Sequence, residues 1–270
     1  MLVSRSQSGY KKRKINYWGL SGKSDDVNVG VYDLKSNKNL GSVVLHENFQ
    51  ADDHNVPAFY VRPDGSILAV YAKHSNEPIH YYRISSPNDY LNWGKEKQFV
   101  HEYESMNKGV TYTNLYYLEN EALLYNFFRD GPHFNPAFIT SSDHGETWGN
   151  ETHCISDGLG SRNRPYARYL QRDSNTIGVS FTEAHPRNYG NSIYYADFKK
   201  GGFYNVDGTK IKNLKDGSLT PSESEKIYQG SGETRKAEHG ESVENSAWTS
   251  VMAKDSKKRP HIWLHALPYK

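Results

Sequence analysis

The sequence predicts an all-β fold, and three observations carry that prediction. Aromatic residues make up 13% of the 270, with 21 Tyr against 3 Met, and 22 Gly and 11 Pro punctuate the chain. Such a mixture suits many short strands joined by tight turns. A unit made of a polar turn and a short apolar, aromatic strand ending in polar groups recurs along the chain. No stretch of about ten residues shows convincing helical periodicity.

Taken in order, the recurring unit reads SGYKKRKINYWGLSG near residue 10, RPDGSILAVYAKHS near 65, LENEALLYNFFRDG near 120, QRDSNTIGVSFTEAHP near 173 and KDSKKRPHIWLHAL near 256. The first four copies are spaced by roughly 55 residues and the last interval is longer. One four-stranded propeller blade occupies about 40–50 residues, so the expected architecture is a β-propeller with about five visible blade units. Between the copies lie further alternating segments, at Val27 to Leu34, Pro57 to Arg62, Ile79 to Ile84, Ala137 to Ser141 and Ser192 to Phe198. All-β folds of this length commonly form one domain, so residues 1–270 are read as a single propeller domain.

Composition narrows the partners. With 33 basic and 31 acidic side chains the net charge is +2 and no block of one sign stands out, which argues against a nucleic-acid-binding face and fits a small or neutral-to-acidic ligand better. A mean hydropathy of -0.84 without a long apolar run excludes a transmembrane helix, so no membrane partner is expected. The chain is expected to be a monomer. The single cysteine, Cys154, rules out an internal disulfide. The first ten residues carry no apolar stretch, so no secretory signal is expected in this chain.

The sharpest local motif is Ser141-Ser142-Asp143-His144-Gly145-Glu146-Thr147-Trp148, which fits the Asp-box pattern S-x-D-x-G-x-T-W of sialidase-like propellers. Its physics is that of a tight hairpin: Asp143 accepts from turn amides, Gly145 takes the left-handed conformation and Trp148 packs between sheets. The motif is therefore structural. Pro63-Asp64-Gly65 and Val206-Asp207-Gly208 read as ordinary hairpins.

Chemistry is expected at the strand ends. There, successive copies carry different polar groups on one frame: His74 and Ser75, then Arg129 and Asp130, then Glu183, His185, Arg187 and Asn188. A second set precedes the strands: Asp52-Asp53-His54-Asn55, Tyr112-Thr113-Asn114, and Arg162-Asn163-Arg164-Pro165-Tyr166. If both sets converge, they offer histidines, arginines and tyrosines suited to an acidic polysaccharide. Asn55, Asn114, Arg164, Tyr166, His185 and Arg187 are the candidate substrate-binding residues. His185 and Arg187 could equally pin a loop, and Tyr116, Tyr117, Tyr194 and Tyr195 read as packing residues.

LHENFQADDHNVPAFYVRPDGSILAVYAKH, GVTYTN with FFRDG, the Asp-box, RNRPYARY, and TEAHPRNYGNSIYYADF with FYNVDGTKI together span roughly residues 25 to 215. On these segments the chain resembles the BNR-repeat family that contains the seven-bladed ulvan lyases of polysaccharide lyase families 24 and 25. The resemblance implies a secreted or periplasmic propeller acting on a uronate-containing, ulvan-like glycan. The repeat count of about five against seven blades implies either fewer blades or segments at one or both ends outside this chain. Residue by residue, the resemblance implies that His54 and His74 are active-site histidines, Tyr112 the catalytic tyrosine, Arg129 the arginine for the substrate carboxylate and Tyr166 a tyrosine near the substrate.

Elimination from a uronic acid needs the carboxylate neutralised, a base near C5 and an acid for the departing glycosidic oxygen. Arg129 suits the first task, assisted by His74; a neutral His54 suits the second; Tyr112 suits the third, or the second if a neighbour first draws off its proton. No cofactor is required for that chemistry. A structural Ca²⁺ at Asp25-Asp26 or Asp52-Asp53, or a Zn²⁺ at Cys154 with His153 and His185, is conceivable, although no recognised ligand spacing is present and a buried thiol is the simpler reading of Cys154. Two other functions stay open: a sialidase-like hydrolase, with Arg129, Arg164 and Arg187 as an arginine trio and Glu183 as acid, and a non-catalytic glycan-binding propeller.

Overall fold

The structure, a computed structural model, describes residues 15–21, 25–52, 54–103, 108–156, 164–234 and 243–267. Asp53, Arg162 and Asn163, singled out in the sequence, lie outside them. Among the described residues there are strands, three short 3₁₀ turns and no α-helix.

Among the described residues, five sheets follow one another along the chain. Strands β1 (Ile15–Ser21), β2 (Val27–Asp33) and β3 (Lys38–His46) form the first, antiparallel and in chain order. The second runs β4 (Ala58–Val61), β5 (Ile67–Ala72), β6 (Ile79–Ser86) and β7 (Asp89–Trp93), with β8 (Lys97–Val100) also pairing with β6. The third is built from β9 (Thr111–Leu118), β10 (Leu123–Arg129), β11 (Pro136–Ser141) and β12 (Thr152–His153). In the fourth, β13 (Ala167–Asp173), β14 (Thr176–Phe181), β15 (Ile193–Lys199), β16 (Gly202–Tyr204) and β17 (Lys210–Asn213) are neighbours in order, and β18 (Glu225–Tyr228) adds to β15. The last is the hairpin of β19 (Ala247–Lys254) and β20 (Pro260–Ala266). Five sheets answer to the five copies of the sequence unit.

The repeated apolar strand has a fixed place. In the three middle copies it is β5, β10 or β14, in each case the second strand of its sheet and flanked on both sides. Every residue of β5 and of β14 is buried, as a continuous apolar run requires. Edge strands such as β3 and β17 alternate or face water.

The chain divides into two compact units: residues 1–116, 124–132 and 139–151 form one, and 117–123, 133–138 and 152–270 the other. In the first unit Val27, Val29 and Val31 of β2 share a core with Ile67, Ala69 and Tyr71 of β5, closed by Leu45, Phe49, Phe59, Tyr81 and Trp93. Each set recurs every second residue, so one face of each strand supplies the core. In the second unit Leu170, Tyr195 and Met252 pack with Ile262, and Phe198 lies against Phe138 and Phe203.

The Asp-box forms the expected turn after β11. Asp143 accepts from the amides of Glu146 and Thr147 at 3.1 and 2.9 Å, and Ser141 Oγ donates to it at 2.7 Å. Partial burial pushes its carboxyl up, but these bonds and that of the Thr147 hydroxyl outweigh it and hold the group at about 2. Gly145 has φ 92°, and a Cβ there would lie 2.3 Å from Leu68 Cδ2. Trp148 departs from expectation: it is half-buried rather than enclosed between sheets, edge-on to Tyr82 at 6.3 Å. It sits on the hairpin beyond the end of β11, where Thr147 and Gly149 on either side are exposed. Cys154 is fully buried, and its thiol donates to the Pro136 carbonyl at 3.2 Å, the packing role expected of it.

Candidate functional site

Within the first unit, the loop between β3 and β4 is tied to the end of β5. Asn55, 2% exposed, donates to the Gln50 carbonyl at 3.0 Å, and Gln50 Oε1 accepts from the His74 amide at 2.7 Å. Asn55 therefore shapes the loop. The Asp-x-His spacing lets Asp52 close a local turn, accepting from the His54 amide at 2.9 Å. The same carboxylate meets both imidazoles: Oδ1 lies 2.5 Å from His54 Nδ1 and Oδ2 lies 2.8 Å from His74 Nδ1. The two rings stack at 4.1 Å.

This geometry sets the tautomers. Burial pushes Asp52 up, but hydrogen bonds from the His54 amide and from both imidazoles outweigh it and hold the carboxyl below its usual range. An ionised carboxylate only accepts, so each Nδ1 must be the donor, and in the neutral ring the lone pair falls on Nε2. Both histidines are thereby prepared as bases at the same atom.

Tyr112 and Arg129 complete the cluster. The Tyr112 ring lies 5.5 Å from that of His54, and the Arg129 guanidinium lies over the Tyr112 ring at 5.5 Å. Arg129, the last residue of β10, is 4% exposed and donates to Ser75 Oγ at 3.3 Å. Tyr112 has φ 70°, a left-handed conformation that costs a bulky residue of order 1–3 kcal/mol. Its neighbours hold it there: Ser75 amide donates to the Val110 carbonyl at 3.1 Å and to Thr111 Oγ1 at 3.0 Å, and Thr113 Oγ1 donates to the Val70 carbonyl at 3.1 Å. The close approach depends on Gly109, where a Cβ would lie 2.2 Å from the Asn76 amide nitrogen. His54, His74, Tyr112 and Arg129 are thus brought together, as the sequence led one to expect.

The remaining predicted residues have other surroundings. Asn114 donates to the Phe127 carbonyl at 3.1 Å, a bond spent within the sheet. Tyr166, His185, Arg164 and Arg187 belong to the second unit. There Tyr166 and His185 pack with Trp248, the ring centroids 4.6 and 4.7 Å from the indole. The Arg187 amide donates to His185 Nδ1 at 3.0 Å, and Arg164 lies over the Phe134 ring at 4.2 Å. Glu183, the candidate acid of the hydrolase reading, is 6% exposed; it accepts from the Ser192 amide and the Tyr194 hydroxyl at 2.9 and 2.8 Å, and burial raises its carboxyl. It fastens β15 within its own unit.

Sequence reasoning missed the Asp52 bridge and Trp248. The Asp-x-His spacing was a usable signal for the first; Trp248, one residue into β19, offered none beyond its being a tryptophan. Asp52, His54 and His74 also offer three donor atoms within 4.8 Å of one another, the right number and kind for a divalent cation. Ligands of zinc at about 2.0–2.2 Å stand more than 3 Å apart, however, so the Asp52 contacts with both histidines would have to open to admit one.

The chain matches the model of the BNR repeat-containing family over residues 15–270. No curated protein sequence is significantly similar to it. Among solved structures, an ulvan lyase of polysaccharide lyase family PL25, bound to -[GlcA(1-4)Rha3S]-, superposes with a TM-score of 0.70 at 17% identity, covering 94% of this chain and 62% of that one. A second structure of a PL25 ulvan lyase gives 0.69 at 18% identity, with the same coverage. The NanB sialidase from Streptococcus pneumoniae superposes at 0.42 with 14% identity, covering 69% of this chain and 27% of that one. This chain therefore spans about 62% of the length of the ulvan lyase whose fold it shares. The sheets described above are those of an all-β, propeller-type fold, and the chain belongs to the BNR repeat-containing family.

Proposed function

We propose that this protein is a polysaccharide lyase that cleaves a uronate-containing, ulvan-like glycan by β-elimination. The observation that carries the reading is the pair of stacked histidines bridged by Asp52 beside Tyr112 and Arg129. The fold shared with an ulvan lyase supports it.

Arg129 supplies a fixed positive charge that offsets the substrate carboxylate and so lets the C5 proton leave. His54, donating from Nδ1 to Asp52, takes that proton on Nε2. Tyr112 gives its phenol proton to the departing glycosidic oxygen, the C4–O bond breaks and the electron pair from C5 forms the C4–C5 double bond. His74 shares the Asp52 carboxylate through Nδ1 and, as imidazolium, donates from Nε2 to the substrate carboxylate beside Arg129.

A non-catalytic glycan-binding function is the second reading, and the Tyr166, His185 and Trp248 rings of the second unit favour it, because aromatic faces are suited to stacking on sugars. Incubation with a panel of uronate glycans separates the two. The lyase reading expects ultraviolet absorbance from a new C4–C5 double bond; saturation binding of a glycan that stays intact supports the binding module.

A further inference from the structure

A second, buried histidine pair lies in the same unit and takes no part in the chemistry above. His80 of β6 is 1% exposed and His101, just after β8, is 4% exposed. His80 Nδ1 lies 2.8 Å from His101 Nε2, and His101 Nδ1 lies 2.6 Å from Glu151 Oε2. The Tyr103 hydroxyl donates to the same Glu151 oxygen at 2.7 Å. At the other end His80 Nε2 lies 3.4 Å from the carbonyl oxygen of Tyr112, the longest link in the series. Phe128 packs edge-on against both imidazoles, at 4.7 and 4.9 Å, and Phe99 against His101 at 4.9 Å.

We propose that Glu151, His101 and His80 form a hydrogen-bond relay of fixed direction that positions Tyr112, by donating from His80 Nε2 to the Tyr112 carbonyl. The direction follows from which atoms can donate. A carbonyl never donates, so His80 must present N–H at Nε2 and, in its neutral form, a lone pair at Nδ1. His101 must then donate from Nε2, and one more proton must sit between its Nδ1 and Glu151. Whether that proton rests on nitrogen or oxygen, the two residues together are uncharged, which suits a buried site. The opposite direction, with Glu151 as a bare acceptor and both histidines neutral, would turn the His80 lone pair toward the carbonyl. Burial, reinforced by His101, holds His80 well below the usual histidine value, which agrees with a neutral ring.

The relay reaches Tyr112 where it is needed, at a residue kept in a left-handed conformation with φ 70°. Fixing the peptide that follows Tyr112 fixes the direction in which its side chain leaves the backbone. His80, His101 and Glu151 are thus positioning residues, and their effect on turnover rests on the lyase reading.

The test has two arms. Long-range proton–nitrogen correlation spectra of the ¹⁵N-histidine-labelled full chain, assigned with His80→Gln, read the tautomer without any substrate. The proposal expects His80 neutral as the Nε2–H form between pH 6 and 8; an Nδ1–H form, or a ring that gains a proton in that range, overturns the relay whatever the protein's activity. In the second arm, His80→Leu removes the donor, whereas His80→Gln keeps an amide donor near the same place. On a glycan that the parent protein cleaves, His80→Leu is expected to lower kcat about tenfold or more with little change in KM and to alter the pH profile, and His80→Gln to recover most of the loss. Equal kcat in both variants, or a change confined to KM, overturns the positioning role while leaving the lyase reading intact. Failure of that reading shows itself separately, as absence of elimination by the parent protein.

Discussion

The first unit holds two histidine pairs that use the same parts in opposite ways. His54 and His74 are attached in parallel, each Nδ1 to one oxygen of Asp52, with side chains about a third exposed, 33% and 31%. His80 and His101 are connected in series to Glu151 and are almost wholly enclosed. The parallel arrangement uses Nδ1 of each ring and puts the neutral lone pair on Nε2, in side chains that are partly exposed, which is what proton abstraction needs. The series arrangement consumes every ring nitrogen internally and ends on a backbone carbonyl, which is what holding a conformation needs. Exposure and attachment, not residue type, are what assign the proposed base to the first pair and a positioning role to the second.

The largest effects are expected in the parallel pair. His54→Ala removes the proposed base and is expected to lower kcat on the order of 10² to 10⁴ with KM little changed, in steady-state elimination kinetics. Asp52→Asn should fall in the same range: its amide nitrogen must donate to one of the imidazoles, forcing that ring's lone pair onto the wrong atom. Recovery of full turnover in Asp52→Asn would show that the tautomer is set elsewhere.

A smaller effect concerns stability and the series pair. The folded-state value of His80 lies below the usual 6.5, so below pH 6.5 the unfolded chain binds a proton that the folded chain does not. The stabilisation is fully present above pH 6.5 and is lost as pH falls, at about 1.4 kcal/mol per pH unit until the folded value is reached. Denaturant unfolding between pH 6.5 and 5 is expected to show that slope, and His80→Leu to flatten it by about one proton.

The smallest effect is expected outside both pairs. Asp143→Ala, in the Asp-box, should cost about 1 kcal/mol or somewhat more at neutral pH, discounted for the exposure of the turn. Because folding lowers the Asp143 carboxyl to about 2, its contribution is present above the unfolded value near 3.8 and is lost as pH falls toward 2. Turnover per folded molecule should not change.

The strand content and the Asp-box were legible because they are local. Apolar runs such as Ile67–Ala72 and turn residues such as Asp143 and Gly145 carry their structure within a few positions of themselves. The meeting of His54 with His74 was legible from the quoted motifs, which place them at the two ends of one hairpin. The left-handed Tyr112 was not, because φ 70° is imposed by bonds around it, from Ser75, Val70 and Thr113, and tyrosine itself has no such preference. The His80–His101–Glu151 series was equally hidden: its members lie on β6, after β8 and beyond the Asp-box, and only the folded sheets bring them within 2.8 Å. Trp148 was read as enclosed from the motif, whereas its burial depends on what lies outside the hairpin.

The central claim, that the exposed pair performs an elimination, is tested most directly by following the ultraviolet absorbance of unsaturated uronate product from the parent protein and from His54→Ala, on a glycan panel that includes ulvan. The account predicts that product accumulates with the parent protein and forms at least about a hundredfold more slowly with His54→Ala. Intact glycans throughout, saturated reducing ends as the sole product, or an undiminished rate with His54→Ala would contradict it.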